Sequence, residues 1–470
     1  MAKKVIFIIL GITLTIGYVY AAAASPPSQL PAIGNLEPIK KTDRILILAP
    51  HPDDEAIGCA GIIQEAVSKG AELKAVYLTN GDHNQIAFIV YEKKVTLRTG
   101  EFIHMGEVRR IEAIKAMKLL GVDSKNLIFL GYPDFGTFTI FREVWANRKS
   151  FKGILTRISS VPYKENFSFG APYKGESILA DLENILRDYK PNKIFVSHPA
   201  DVNVDHKAFY LFLQIALGDL EKEIPKPKVY PYLIHCVGWP LPRHYHPQLS
   251  LQPPRKFLDS QIEWSQFQLT PEQLNKKNQA ILCYKSQTSS SAFYLLAFAR
   301  KNELFGSYPN IELKKQESLK NQSASFFGFS NMFSDVGVAD TSDKPDNLIE
   351  DKGHVSYGIL DDNLLIRIDK TKELSRRFSI QLYLFGYSNK TPFALMPKIR
   401  IITKHKILKV FDARKKIKPE GVDLELNSKE IVLKVPLKIL GEPDFILTAI
   451  KTYAGVFHVD TTSFREINIK

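Results

Sequence analysis

The stretch Arg44-Ile45-Leu46-Ile47-Leu48-Ala49-Pro50-His51-Pro52-Asp53-Asp54-Glu55-Ala56-Ile57-Gly58 constrains this chain more than any other. An apolar, branched run with almost no polar residue reads as a strand buried on both faces. It stops in a turn that sets one imidazole and three carboxylates within five positions. Helical spacing follows, with Ile57, Ala60, Ile63 and Val67 on one face and Gly70 placed to end the helix. Carboxylates at the C-terminal edge of a strand, beside a helix N-terminus, stand where open α/β sheets keep their active sites. Crowded like charges raise one another's pKa unless a cation binds among them, and a divalent metal is the simplest such cation. The alternative reading of this stretch is a solvated acidic turn that caps a helix.

At 470 residues the chain exceeds one ordinary core, and two or three domains are expected. Further apolar strands are read at 73–79, 127–130 and 193–197, with helices at 107–120, 178–189 and 205–217. The 107–120 helix carries Val108, Ile111, Ile114, Met117 and Leu120 on one stripe. Residues 83–105 lack a period and read as a loop or lid, and 135–175 as an aromatic insertion. Alternating strands and helices predict an α/β fold, a Rossmann-like parallel-sheet catalytic domain over 44–310. Ser, Asn, Lys and Asp then dominate a connecting segment at 311–346. Beyond it the period changes to two: Phe378, Ile380, Leu382 and Leu384 alternate with Ser379, Gln381 and Tyr383. Short alternating strands of this kind predict an all-β sandwich over 347–470. Carbohydrate-binding and purely structural roles are both open for it. As a separable module, it would leave the catalytic domain folded when cut away near Asp346.

The N-terminus has a basic start, Met1-Ala2-Lys3-Lys4, an apolar run from Val5 to Tyr20, and small residues at Ala21-Ala22-Ala23-Ala24-Ser25. This is the pattern of a signal peptide over 1–24, or of an uncleaved segment anchoring the chain to a membrane through residues 5–24. Either way Lys3 and Lys4 stay cytoplasmic, and the remainder is expected to be exported to the periplasm or the medium. Residues 25–43 carry Pro26, Pro27, Pro31 and Pro38 and read as an extended linker. The net charge of +13 favours an anionic neighbour such as cell-surface polymer or lipid headgroups. Its basic residues are spread along the chain without a nucleic-acid motif, so no nucleic-acid partner is expected. Cys59, Cys236 and Cys283 are too few and too far apart for a disulfide framework or a cysteine zinc site. No pattern in the chain signals an oligomeric state.

His51 and Asp54 lie three residues apart across one tight turn, so both can face one point. A metal needs a further ligand from elsewhere, and His206 is the best candidate, at a helix start on the same sheet edge. The block at 51–55 closely resembles the His-Pro-Asp-Asp-Glu signature of the LmbE-like/PIG-L family of zinc-dependent N-acetylglucosaminyl deacetylases. Val108-Arg109-Arg110-Ile111-Glu112-Ala113, Leu130-Gly131-Tyr132-Pro133-Asp134, Asp201-Val202-Asn203-Val204-Asp205-His206 and Tyr284-Lys285-Ser286-Gln287 resemble the family's later blocks, in the family's order.

The resemblance implies Zn2+ held by His51, Asp54 and His206, and Asp53 as the general base. It implies Arg109 and Asp134 as sugar contacts, and an N-acetylated sugar or glycan as substrate. Another N-acyl substrate, or a non-catalytic glycan-binding surface protein, are the competing readings. Asn203 stands where many members carry the first histidine of a His-Pro-Asp-His block. Asparagine can donate a hydrogen bond to an oxyanion but cannot act as an acid. Asn203 is therefore read as substrate-binding, and the proton donor is left to His198 or Asp201. Asp205 is expected to hold His206 by a hydrogen bond, and Glu55 to favour the helix N-terminus or orient a ligand. For Arg109 a structural salt bridge is the alternative.

Overall fold

The structure is a computed structural model that describes residues 33–93, 98–258, 260–314, 339–341, 354–369, 378–404, 407–427, 430–455 and 457–470. The expected signal or anchor at 1–24, the first part of the linker and most of the connecting segment lie outside the described residues.

Strand β1 is Gly34–Asn35, and β2 is Arg44–Ala49. Ile45 and Ile47 enter one hydrophobic core while Leu46 and Leu48 enter another, so both faces of β2 are covered, as its unbroken apolar run requires. Beyond it come β3 (Glu72–Thr79), β4 (Leu127–Tyr132), β5 (Lys193–Ser197), β6 (Lys228–Tyr232), β7 (Glu263–Gln268) and β8 (Asn302–Ser307). They form one sheet in the order β1-β7-β8-β6-β5-β2-β3-β4. Strands β2 to β6 run parallel, and β8 enters antiparallel to β6 and β7. From β2 the chain crosses to β3 on one side, whereas β5 flanks β2 on the other. Strand order therefore reverses between β2 and β5, and a crevice opens there at the carboxyl ends.

The helices are α1 (Asp54–Lys69), α2 (Gln85–Glu92), α3 (Thr99–Leu120), α4 (Thr137–Glu143), α5 (Gly175–Tyr189), α6 (Val204–Asp219), α7 (Pro271–Leu282) and α8 (Lys285–Leu295). Three expectations are corrected by them and by β1. The described part of the linker is packed: β1 pairs with β7, Leu36 and Ile39 are buried, and Asp43 takes the Lys193 ammonium at 2.5 Å. Part of the stretch read as a loop or lid is helical, in α2 and the start of α3. In α3 the buried face holds Met105, Arg109, Glu112, Ala113, Ala116 and Met117, while Ile111 is exposed. Two charged residues with tertiary partners displaced the apolar stripe, and the small alanines let the helix approach the sheet.

C-terminal to this domain, two largely antiparallel β sheets pack face to face around a core of aliphatic residues. The strand Ile311–Leu313, inside the segment read as a connection, pairs with Arg465–Ile469 and so belongs to the larger sheet. Strand Phe378–Tyr387 has two buried faces. Ile380, Leu382 and Leu384 point into the sandwich core, while Tyr383, Phe385 and Tyr387 join the core beside α4 and α6. There Phe385 meets Phe141 edge-on at 5.4 Å between ring centroids, and Phe138 meets Tyr383 at 5.9 Å. Tyr387 also donates to Asp219 at 3.0 Å, and Arg414 pairs with Glu143. The two parts share a core, and Ile33–Lys470 forms one compact unit.

Lys398 lies in this junction, with Nζ donating to the carbonyls of Phe393 and Met396 at 2.6 and 2.7 Å and 3.8 Å from the Phe393 ring centroid. Burial pulls its pKa down to about 7, against the pull of Asp412. Between about pH 7 and the ordinary lysine value near 10.4, the unfolded chain binds more protons than the folded one. Stability carried by this group therefore rises with pH across that window and is lost as pH falls through it. Urea midpoints measured from pH 7 to 9 should climb, with a slope of at most about 1.4 kcal/mol per pH unit from this residue. Lys398→Met should flatten that part of the slope, and an unchanged slope in the variant would refute the assignment.

Candidate metal centre

The turn after β2 is shaped by its own side chains. The backbone N–H of His51 donates to Asp54 Oδ2 at 2.8 Å, which turns both side chains toward one point. Asp53 is held at φ 125°, a region that non-glycine residues rarely occupy and that costs free energy unless neighbours enforce it. Two neighbours do so. Glu55 accepts the Asp53 backbone N–H at 3.1 Å, and Arg109 Nη2 donates to the Pro52 carbonyl at 2.7 Å. Arg109 Nη1 also donates to the Gly81 carbonyl at 3.0 Å, and a Cβ at position 81 would lie 2.0 Å from that nitrogen. Only glycine permits the approach. With Nη2 3.3 Å from Asp53 Oδ1, Arg109 braces two loops and fixes a carboxylate.

His206, at the start of α6, points to the same place. Its Nε2 lies 3.1 Å from Asp54 Oδ2, and His51 Nδ1 lies 3.2 Å from that same oxygen. His51, Asp54 and His206 thus each offer a ligand atom within 4.8 Å of the others, and all three are buried. Neither ring nitrogen of His206 makes a hydrogen bond. Close contact without hydrogen-bond alignment is what two ligands turned toward a shared cation show, and the N/O donor set suits zinc. The electrostatics agree. Burial alone would lower the pKa of both imidazoles, yet surrounding carboxylates push His51 well up and His206 up to about 9. Asp54 is held low despite burial, by His206 and His51. The cluster favours positive charge at its centre.

Asp53 differs from its neighbour. Burial raises it to about 7, with Arg109 opposing and Asp54 adding to the rise. Glu55 is raised by burial to about 8 and takes a hydrogen bond from Tyr284, away from the ligand atoms. Ser286 donates to Glu112, and the Asn84 amide donates to Gln287 at 2.8 Å, so the 284–287 block ties α1, α2 and α3 together.

One assignment changes partner. Asp205 does not bond His206: it accepts from the backbone N–H of Phe135 at 2.7 Å and of Thr137 at 3.2 Å, and lies 3.4 Å from His51 Nε2. Adjacent helix positions diverge by about 100°, so Asp205 and His206 face different neighbours. Asp201, whose Oδ2 is 3.0 Å from His206 Nδ1, holds the place expected of Asp205. Asp134 has Oδ1 3.2 Å from His51 Nε2 and accepts the His83 backbone N–H at 3.0 Å. Asn203 accepts the Asp205 backbone N–H at 2.8 Å, capping α6.

A cleft of about 470 Å³ opens over these groups, walled by Asp53, Arg109, Asp134, Asn203, His83 and His235 among others. His198 is not on its wall: it stacks on Trp264 in an aromatic nest, and burial drops its pKa to about 3. His83 and His235, which the sequence reading passed over, are on it. His83 follows Thr79-Asn80-Gly81-Asp82 directly, a strand-end turn that was a usable signal. His235 had none.

A mostly parallel α/β sheet with a buried His/Asp cluster at its switch point defines a Rossmann-like fold with a candidate metal centre. Residues 46–217 match the family model described as PIG-L, GlcNAc-PI de-N-acetylase. Residues 46–217 therefore form a PIG-L/LmbE-like domain, and additional β sheets follow it. It is 31% identical over 115 residues to a 1D-myo-inositol 2-acetamido-2-deoxy-alpha-D-glucopyranoside deacetylase of Mycobacterium sp. (strain KMS), covering 24% of this chain and 36% of that one. A putative glucosamine-6-phosphate deaminase-like protein of Bacteroides thetaiotaomicron is 23% identical over 274 residues, 53% of this chain and 36% of that one. The chain thus spans about a third of the length of these curated relatives. Among solved structures, the N,N'-diacetylchitobiose deacetylase from Pyrococcus horikoshii is 19% identical, with 53% of this chain and 72% of that chain covered at a TM-score of 0.33.

Proposed function

We propose that this protein is a zinc-dependent hydrolase that removes the acetyl group from an N-acetylglucosamine-type sugar, glycan or glycoconjugate. The observation that carries the reading is the convergence of His51, Asp54 and His206 beside Asp53 on the floor of one cleft. Zinc held by those three residues would supply Lewis acidity and a water that loses its proton near neutral pH. Asp53, neither a ligand nor tied up by a strong hydrogen bond, takes the proton from the attacking water. Arg109 fixes the orientation of that carboxylate, and the Asp134 and Asp205 carboxylates hold the His51 ring from its far nitrogen. Asn203 spends its carbonyl oxygen on the helix cap, which leaves its amide N–H available to substrate.

The test is elemental analysis together with acetate release from N-acetylglucosamine oligosaccharides. One divalent ion per chain and chelator-sensitive acetate release are expected. Active protein without stoichiometric metal, or metal-loaded protein that deacetylates no N-acetylated sugar, would overturn the reading.

Export belongs to the same proposal and is supported by the residue pattern over 1–25. Among the described residues no helix is long and apolar enough to cross a membrane. A glycan-holding role for the sandwich is supported by a cavity of about 410 Å³ between it and the sheet domain, where Tyr210, Tyr308 and Phe445 meet Gln214, Asn310 and Asn468.

A further inference from the structure

Hydrolysis of an unactivated amide needs two proton movements. One proton leaves the attacking water, and one must reach the departing nitrogen, because an amine anion is too basic to leave. Asp53 is placed for the first. For the second, residue 203 is an asparagine whose side chain caps a helix. Asp201 is committed: it faces His206 Nδ1 and accepts from the backbone N–H groups of Ile234 and His235 at 3.2 and 2.9 Å. His198 lies off the cleft wall, in its aromatic nest.

Among the described residues, three imidazoles line the cleft: His51, His83 and His235. His51 is held between Asp54 on one ring nitrogen and Asp134 and Asp205 on the other. The ring of His235 packs against His206 at 4.7 Å and lies nearly parallel to Tyr294 at 6.1 Å. His83 stands in the loop just before α2, anchored by its backbone N–H on Asp134, with its ring 4.8 Å from that of Phe135. Its Nε2 is buried and has no hydrogen-bond partner. A buried polar atom left unpaired on the wall of a reaction cleft is a group kept for a ligand.

We infer that His83 is a catalytic residue, donating the proton from Nε2 to the leaving amine; this rests on the deacetylase reading above. Water gives a proton to Asp53 as its oxygen bonds to the acetamide carbonyl carbon. The carbon–nitrogen bond then breaks, its electron pair stays on nitrogen, and nitrogen takes the His83 proton. Acetic acid and free amine leave, the acid giving its remaining proton to solvent as acetate, and exchange with solvent returns a proton to His83 and removes one from Asp53. The loop that carries His83 is latched by Asn84 to Gln287 on α8, which sets the ring against the cleft.

The variant His83→Gln keeps a hydrogen-bond donor of similar reach but cannot give up a proton. With an N-acetylglucosamine oligosaccharide as substrate, kcat should fall about 10²–10⁴-fold while KM and zinc content stay at wild-type values. A loss that travels with KM or zinc would make His83 structural, and an unchanged kcat would exclude it from the reaction. His235→Gln, measured alongside, should not give a loss confined to kcat; if it does, the donor is His235 and the inference fails. Should His83→Gln prove unfolded by its thermal midpoint, His83→Asn is read by the same criteria. Wild-type protein that releases no acetate refutes the deacetylase reading, whereas active wild type beside a fully active His83→Gln refutes this inference alone.

Discussion

Asp53→Asn is expected to retain near-stoichiometric zinc while its acetate release falls about 10²–10⁴-fold. The substitution keeps shape and hydrogen bonding and removes the base. Asp53 touches no imidazole ligand atom, and its charged neighbour is Arg109 Nη2 at 3.3 Å, so the metal should not sense the change. Asp54→Ala should behave differently, because one oxygen of Asp54 lies against both His51 and His206. Metal and activity should fall together there, and excess zinc should restore part of each. Zinc content and acetate release measured on both variants settle the division of labour between two adjacent aspartates. Loss of metal in Asp53→Asn, with retention in Asp54→Ala, would reverse the roles.

Ending the chain before Ile311 should give protein that is insoluble or unfolded. Removing the sandwich uncovers Phe138, Phe141 and Trp145, which now pack on Tyr383, Phe385, Phe393 and Phe464. Burying one such side chain contributes about 1.5–3 kcal/mol, so exposing several removes as much as a domain's whole stability of about 5–15 kcal/mol. This replaces the expectation of a freely separable module. A milder form of the test is Phe385→Ala, which should cost about 3–5 kcal/mol in a urea titration read on the catalytic domain. A truncated protein with native circular dichroism, a wild-type thermal midpoint and full zinc would show that the aromatic contact is incidental.

Much of the sheet domain was legible because its signals are local. A continuous apolar run buries both faces of β2, and three-residue spacing brings His51 and Asp54 to one point. The α3 stripe was misread for a related reason: period alone ranks Ile111 above Arg109, whereas the fold buries Arg109 on the carbonyls of Pro52 and Gly81. In strand 378–387, Tyr383 sits among polar positions and reads as solvent-facing. It is buried because another domain covers that face.

By itself the sequence determined the α/β-then-β order, the parallel character of the central strands, the turn at 50–55, and the pairing of His51 with Asp54. Each of these follows from periodicity or from spacing within one turn, where covalent geometry limits the outcomes. Tertiary structure alone decided that Asp201 rather than Asp205 attends His206, that His83 and His235 reach the cleft while His198 does not, and that the sandwich shares its aromatic face with α4 and α6. The first spans only five positions and is set by side-chain direction, whereas the others are meetings between segments far apart in the chain. Side-chain direction on α6 and the reversal of strand order between β2 and β5 set them, and no local pattern of residues encodes either.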